Sequence, residues 1–267
     1  MGNTGPSGEN NDASVTGRQH EIKLPDRTEQ FDQDSEYCEV RLGGEWQRIR
    51  FHDYDRIFSV PGLYEQLFHD ILDCHSPDVI AKLLKEQVQR DNVAASDLRV
   101  LDLGAGNGLV AEQLRAVGAG RITGVDILPE AREAALRDRP EVYDAYLVMD
   151  LTDLGDADRR RLSEGRFNTL TCVAALGYAD IPPAAFRSAF NYVSDGGWIA
   201  FTIKDRFLSA EDTSGFAELI NRCRDAGILE VRASERYRHR LNVLGEPLHY
   251  VALVGAKRAD IPAELVP

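Results

Sequence analysis

The sequence predicts an α/β fold: a doubly wound, seven-stranded sheet, mostly parallel, with an antiparallel hairpin strand at its C-terminal end and an N-terminal cap of a hairpin and helices. Three observations carry this. From Arg99 onward, short apolar runs alternate with amphipathic stretches, the pattern of repeated βα units whose parallel sheet is covered on both faces. The chain closes on "ILEVRASERYRHRLN" and "PLHYVALVGAKR", joined only by "VLGE", which is too short for a helical crossover, so these two strands pair antiparallel. Upstream, "YCEVRLGGEWQRIRF" reads as two alternating runs around Gly43-Gly44, a tight turn that needs positive φ.

Taken in order, residues 1–33 are polar and without periodicity, which predicts a disordered or loosely attached tail. Residues 34–96 form the cap: the hairpin, then "VPGLYEQLFHDIL" and "SPDVIAKLLKEQVQR" at helical spacing, the second with Ser76 as N-cap and Pro77 at the first helical position. Residues 97–258 carry the sheet. "RVLDL", "RITGVDI", "AYLVMD", "NTLTCVAAL" and "GWIAFTI" are its first five strands, with helices at 107–117, from Pro129, and near 153–163, 183–193 and 213–226. Residues 259–267 are a C-terminal tail.

Length and composition narrow the function. A chain of 267 residues with 43% hydrophobic and 28% charged residues suits one domain with extensions. A formal net charge of -13 disfavours nucleic acid as a partner, because the chain repels phosphate backbones at long range. The one dense basic run, "RYRHR" at 236–240, alternates along a strand and predicts a solvated face. Cys38, Cys74, Cys172 and Cys223 lie far apart with no CxxC pair, so no zinc site or disulfide framework is expected, and free thiols fit a reducing cytoplasm. No apolar run reaches the roughly 20 residues that span a bilayer, and the N-terminus lacks a signal-peptide core, so a membrane association is not expected.

The chemistry concentrates in "RVLDLGAGNGLVAEQL", where Asp102, Gly104, Gly106 and Gly108 stand at a strand-to-helix turn. A loop stripped of side chains brings backbone close to a ligand or to a neighbouring helix, and in an open α/β sheet ligands sit by this first turn. A dinucleotide oxidoreductase and a methyltransferase using S-adenosylmethionine compete for it. The dinucleotide fingerprint GxGxxG is missed by one residue, since Leu109 follows Gly108. Asp102 beside the loop suits an ammonium or sulfonium better than a pyrophosphate, and the closing antiparallel pair is foreign to the simplest dinucleotide-binding sheet. Asp126 ends the second strand, 22 residues after Gly104, where an acid accepts ribose hydroxyls in either reading; it indicates a nucleoside without saying which.

These residues carry a family resemblance. "VLDLGAGNG" resembles motif I of class I S-adenosylmethionine-dependent methyltransferases, "GVDI" their second motif, and "MDL" at 149–151 the segment after their third strand. More narrowly, the run from Leu98 to Leu151 is similar to the methyltransferase-like proteins of the Williams–Beuren-region type and their bacterial relatives. The resemblance covers roughly residues 98–258 and implies a Rossmann-like sheet and S-adenosylmethionine as cofactor, with S-adenosylhomocysteine as product. It further implies that the backbone of Gly104, Ala105 and Gly106 lies against the methionine and ribose, and that Asp102 holds the loop or, through water, the amino group. Asp126 then takes the ribose hydroxyls and Ile127 packs on adenine. Asp150 accepts from the adenine amino group with Leu151 beside the ring, Ala174 faces the sulfonium, and Tyr64 reaches the cofactor carboxylate.

Methyl transfer is an in-line displacement that needs alignment and an acceptor lone pair, and a hydroxyl acceptor additionally needs a base. His52, His69, His75, Asp180 and His249 are the candidate bases, and Tyr178, just beyond the fourth strand, is a candidate for lining the acceptor pocket. "DIPP" at 180–183 is similar to the (D/N)PPY element of amino-group methyltransferases, but Ile181 intervenes and Ala184 stands where the aromatic belongs, so the prolines read as a helix start. Lys204 and Asp205 follow the fifth strand near the same mouth. The expected partner is a small-molecule acceptor, for a monomer or homodimer. The alternatives are a protein or nucleic-acid methyltransferase, or a non-catalytic nucleoside-ligand-binding protein.

Overall fold

The computed structural model describes residues 19–26, 33–177, 180–205 and 214–267. Its seven-stranded sheet consists of β4 (Arg99–Leu103), β5 (Arg121–Asp126), β6 (Ala145–Val148), β7 (Thr169–Leu176), β8 (Trp198–Lys204), β9 (Leu229–Leu241) and β10 (Pro247–Lys257), in the order β6-β5-β4-β7-β8-β10-β9. The pairs β4–β5, β4–β7, β5–β6 and β7–β8 are parallel, and β10 is antiparallel to both β8 and β9, as the alternation and the short "VLGE" connection predict. From β4 the chain winds outward through β5 and β6, then returns to the other side at β7. The switch point between β4 and β7 is where an open α/β sheet leaves a crevice at its carboxyl ends.

Helices α3 (Leu109–Ala116), α4 (Pro129–Asp138), α5 (Asp156–Glu164), α6 (Pro183–Asn191) and α7 (Phe216–Asp225) follow the strands, with α4 and α6 each opened by proline. Two apolar layers result, one centred on Phe186, Phe190, Phe201 and Phe216, the other on Val100, Leu114, Ile122 and Ala252. The residues after β10 are docked rather than trailing: Ile261 is buried, and its carbonyl accepts from Arg187 Nε and Asn191 Nδ2.

The N-terminal part departs from expectation in three ways. Ile22–Lys23, inside the stretch expected to be loose, form β1 and pair with β2 (Tyr37–Leu42), which pairs with β3 (Glu45–Arg50) through the Gly43-Gly44 turn. A short α1 (Tyr54–Ser59) precedes a π-helical segment, Glu65–Ile71, closed by the Leu72 N–H on the Leu67 carbonyl. Helix α2 (Ser76–Arg90) belongs to the sheet's covering layer, since Ile80, Leu84 and Val88 pack with Val100 and Ala252. Its Ser76 does not cap it; the hydroxyl lies 2.5 Å from Tyr237 OH and 2.7 Å from His239 Nδ1.

The run "RYRHR" is not a solvated face. The β9–β10 hairpin extends under the cap, so Tyr237, His239 and Arg240 are buried, Arg238 is partly buried and only Arg236 is exposed. Arg240 donates to Glu36 Oε2 at 2.5 Å, and Glu36 Oε1 accepts the Val243 N–H at 2.8 Å. Val243 joins Cys38, Val40, Ile49, Phe51 and Leu67 in the cap's own core. Burial holds His239 far below the usual imidazole range, hence neutral, as a packed side chain must be when no carboxylate offsets its charge.

Candidate functional site

The glycine loop is built by its backbone. Gly104, Gly106 and Gly108 all have positive φ, at 68°, 52° and 92°, a region where a Cβ is strained. A Cβ on Gly104 would also stand 2.9 Å from Ile181 Cδ1 and 3.0 Å from Ala175 Cβ, and one on Gly106 3.2 Å from Phe58 Cζ. The N–H groups of Gly104 and Ala105 both donate to the Val125 carbonyl, tying the loop to β5. Tyr146 OH donates to the Gly106 carbonyl at 2.8 Å, and Asn107 Nδ2 donates to Glu65 Oε1 at 2.6 Å, tying it to β6 and to the π-helical segment.

Above this loop a cavity of about 310 Å³ opens at the carboxyl ends of β4, β5 and β7. Of the residues that the resemblance marks for cofactor, Tyr64, Gly104, Gly106, Asp126, Ile127, Asp150, Leu151 and Ala174 line it. Asp126 Oδ2 accepts the Gly106 N–H at 2.9 Å and Oδ1 the Leu128 N–H at 3.0 Å, so the acid is oriented by loop and turn together. Burial pushes its carboxyl above the usual range even though these backbone donors oppose it. Ile127 is 58% exposed at the rim. Asp150 is exposed, with Oδ1 taking both the N–H and hydroxyl of Thr152, and these bonds hold its carboxyl below the usual range.

Asp102 and Ala105 do not line the cavity. Asp102 is buried beneath the loop, where Thr171 Oγ1 donates to Oδ1 at 2.6 Å and Tyr143 OH donates to Oδ2 at 2.8 Å. Tyr143 OH also lies 3.1 Å from the Ala105 carbonyl, so Asp102 supports the loop from below rather than facing a ligand. Burial raises its carboxyl to about 6 despite those two hydrogen bonds. Ala105 points inward, 5% exposed, against Gly124, where a Cβ would meet it at 3.0 Å.

Ala174 reaches the cavity through a bulge. Between Cys172 and Leu176 the strand β7 spends four steps while β8 spends two, from Phe201 to Ile203. Ala174 takes φ 56° and its N–H donates to Thr202 Oγ1 at 2.8 Å. Such bulges gather beside active sites, where they turn side chains out of the ladder.

The acceptor candidates separate. His52 and Asp180 both line the cavity and meet, with His52 Nδ1 2.9 and 3.1 Å from the two carboxylate oxygens. His75 is elsewhere, at the start of α2, with Nε2 2.6 Å from Arg238. His249, on β10, and His69, half-exposed beside Asp70, are also outside it. Tyr178 lies outside the described residues. Lys204 and Asp205 do not line the cavity, and Asp205 accepts from Arg236 instead. As the sequence predicts, the prolines of "DIPP" open α6, and Ile181 and Pro182 form part of the wall.

The sequence reading missed Tyr54, Asp55 and Phe58 on α1, and Met149, as lining residues. The i,i+4 pair Tyr54 and Phe58, stacked with ring centroids 6.0 Å apart, was the available signal. Phe58 in turn stacks on Tyr64 at 5.1 Å.

Comparison with known proteins agrees with this geometry. A family model described as a methyltransferase domain matches residues 68–240, well over half the chain. The ubiquinone biosynthesis O-methyltransferase of Alkalilimnicola ehrlichii is 35% identical over 112 residues, covering 40% of this chain and 42% of that one. Its namesake from Thiobacillus denitrificans is 29% identical over 108 residues, covering 40% and 45%. The chain thus spans under half the length of the curated relatives it matches. Among solved structures, an S-adenosylmethionine-dependent methyltransferase from Clostridium acetobutylicum shares the fold with a TM-score of 0.50 at 13% identity, covering 74% of this chain and 97% of that one. With the family model running from the π-helical segment to the end of β9, the chain belongs to the methyltransferase-domain family, among the class I S-adenosylmethionine-dependent methyltransferases.

Proposed function

We propose that the protein transfers a methyl group from S-adenosylmethionine to a small-molecule acceptor, leaving S-adenosylhomocysteine. The observation that carries this reading is the cavity itself: a bare positive-φ loop and the oriented Asp126 carboxylate face one space of about 310 Å³ at the sheet's switch point. The residues present fit the donor. The Gly104 and Gly106 cradle, which Cβ atoms would obstruct, receives the methionine and ribose part, and Asp126 accepts the ribose hydroxyls with the lone pairs its two backbone bonds leave over. Ile127 and Leu151, which line the cavity, are assigned to adenine and Asp150 to its amino group; Tyr64 and Ala174, also in the lining, are assigned to the methionine carboxylate and the sulfonium. When bound, the donor supplies an electrophilic methyl group on sulfur. What the chain supplies is alignment and exclusion of water, through the aromatic wall of Tyr54, Phe58 and Tyr64.

The acceptor is read as small because His52, Tyr54, Asp55, Phe58 and Tyr64 of the cap wall the cavity, and the similarity to O-methyltransferases favours an oxygen atom. The four free thiols support a reducing cytoplasmic setting. Calorimetric titration with S-adenosylhomocysteine and, separately, with NADH tests the reading. Binding of the first alone is expected, and binding of NADH alone overturns it.

A further inference from the structure

We propose that His52 is the general base of this site, oriented by Asp180 as a positioning residue, and that the acceptor enters as a neutral phenolic hydroxyl compound. This rests on the methyl-transfer reading above and specifies its second substrate.

The geometry comes from two distant segments. His52 follows the cap hairpin, and Asp180 sits between β7 and α6, held by its own N–H on the Gly177 carbonyl at 3.2 Å. Their side chains meet with Nδ1 at 2.9 Å from Oδ2, both lining the cavity and both mostly buried, at 16% and 25% exposure. A carboxylate only accepts, so Nδ1 carries the proton and Nε2 is the basic nitrogen. Tyr54 packs edge-on to the imidazole at 5.8 Å and holds its plane.

Charge then decides the form in which the acceptor arrives. Asp55, Asp126, Asp150 and Asp180 line the cavity, and no Lys or Arg does among the described residues. An acceptor already ionised meets four carboxylates and no cationic side chain, with only the donor's sulfonium to offset them, whereas a neutral hydroxyl avoids that repulsion but must lose its proton inside. A base in the wall resolves this. The flat rings of Tyr54 and Phe58, with Ile181 and Pro182, suit a planar aromatic body.

In the step, the acceptor O–H bond breaks and its proton passes to His52 Nε2. The electron pair left on oxygen forms the new bond to the methyl carbon, and the carbon–sulfur pair stays on sulfur as the thioether of the product. The imidazolium formed is balanced by Asp180. Among the described residues, the other charged or titratable groups around the dyad are Asp55, Tyr54 and Tyr64 of the cap, Asp126 and Asp150 across the cavity, and Tyr250 and Arg240 of the β9–β10 hairpin, which act electrostatically on Tyr54.

The test uses the full chain with catechol and benzylamine as acceptor probes. The wild type is expected to methylate catechol. His52→Ala is expected to lower kcat about 10²- to 10⁴-fold while the affinity for S-adenosylhomocysteine, read by calorimetry, stays within threefold. Asp180→Asn is expected to lower kcat less, with the KM for catechol within threefold of wild type, and Asp180→Glu to recover part of the loss. Nitrogen NMR of the His52 ring, read without turnover, is expected to show the Nδ1–H tautomer in the wild type and a larger share of the Nε2–H tautomer in Asp180→Asn. Turnover of benzylamine but not catechol, an Nε2–H tautomer in the wild type, a tautomer balance unchanged in Asp180→Asn, or His52→Ala within threefold of wild-type kcat each overturns the proposal. Loss of S-adenosylhomocysteine binding in His52→Ala also overturns it, by making His52 a cofactor-side residue. Failure of the wild type itself to bind S-adenosylhomocysteine refutes the methyl-transfer reading instead.

Discussion

Two aspartates of the site have opposite situations, and each leads to a measurement. Asp102 is closed off under the glycine loop with its carboxyl raised from 3.8 to about 6, burial outweighing the bonds from Thr171 and Tyr143. A raised folded-state value means that the native state holds this proton more tightly than the unfolded chain does. Its contribution to stability is therefore fully present below pH 3.8 and lost as pH rises through 6, a change of about 3 kcal/mol at 1.36 kcal/mol per unit. Asp102→Asn removes this dependence. Urea unfolding from pH 4 to 7.5 is expected to show the variant gaining on the wild type up to about pH 6, with no further gain above it. Asp126 instead presents its carboxylate to the cavity while gripping Gly106 and Leu128. Its replacement by alanine removes charge-assisted acceptors worth roughly 1.5–3 kcal/mol, so calorimetry is expected to give S-adenosylhomocysteine binding weaker by about ten- to a hundredfold.

Among the elements, the cap is the one whose attachment the sequence obscured. Its docking runs through an ion pair almost without solvent, Glu36 at 1% and Arg240 at 5% side-chain exposure. Removing one partner of such a pair leaves the other buried and uncompensated, at a cost of about 3–5 kcal/mol. Glu36→Ala is expected to lower the urea midpoint accordingly, and an unchanged midpoint removes this pair from any role in holding the cap. The same contact makes the segment from Glu36 to the hairpin a structural part of the fold and not a dispensable cover. Its removal would expose Val243 and strand Arg240.

This element also shows what one-dimensional patterning transmits. The glycine loop and Asp126 were legible because positive φ admits few residue types and because a strand end fixes where an acid points. The basic strand was read correctly as a strand but wrongly as solvated, since alternation reports which residues share a face and not what covers that face. The β7 bulge left no trace, as alanine carries no mark of a positive φ. The His52 and Asp180 pair joins positions 128 apart in sequence, through a cap docking that the motif-bearing half of the chain does not encode.

At the scale of the whole molecule, the cavity is shared property. Tyr54, Phe58 and Tyr64 come from the cap side, Asp126, Asp150 and Ala174 from the sheet, and a ligand between them bridges both. The two sides are also joined without ligand, through Glu36 and Arg240 and through α2, which follows the π-helical segment and packs on the sheet. Cap and sheet should therefore unfold together, and a ligand that binds only the assembled cavity should stabilise both equally. At a hundred times its dissociation constant, S-adenosylhomocysteine is expected to add about 2.7 kcal/mol, or roughly 5–10 °C in Tm for a chain of this size. Tryptophan fluorescence of a Trp198→Phe variant, whose remaining tryptophan is Trp46 on β3, follows the cap, and far-ultraviolet dichroism the sheet and helices. Coincident transitions that move by the same amount are the expected result. A cap transition that separates from the sheet's, or that fails to move with ligand, would show that the aromatic wall is not part of the binding unit and that the cavity belongs to the sheet alone.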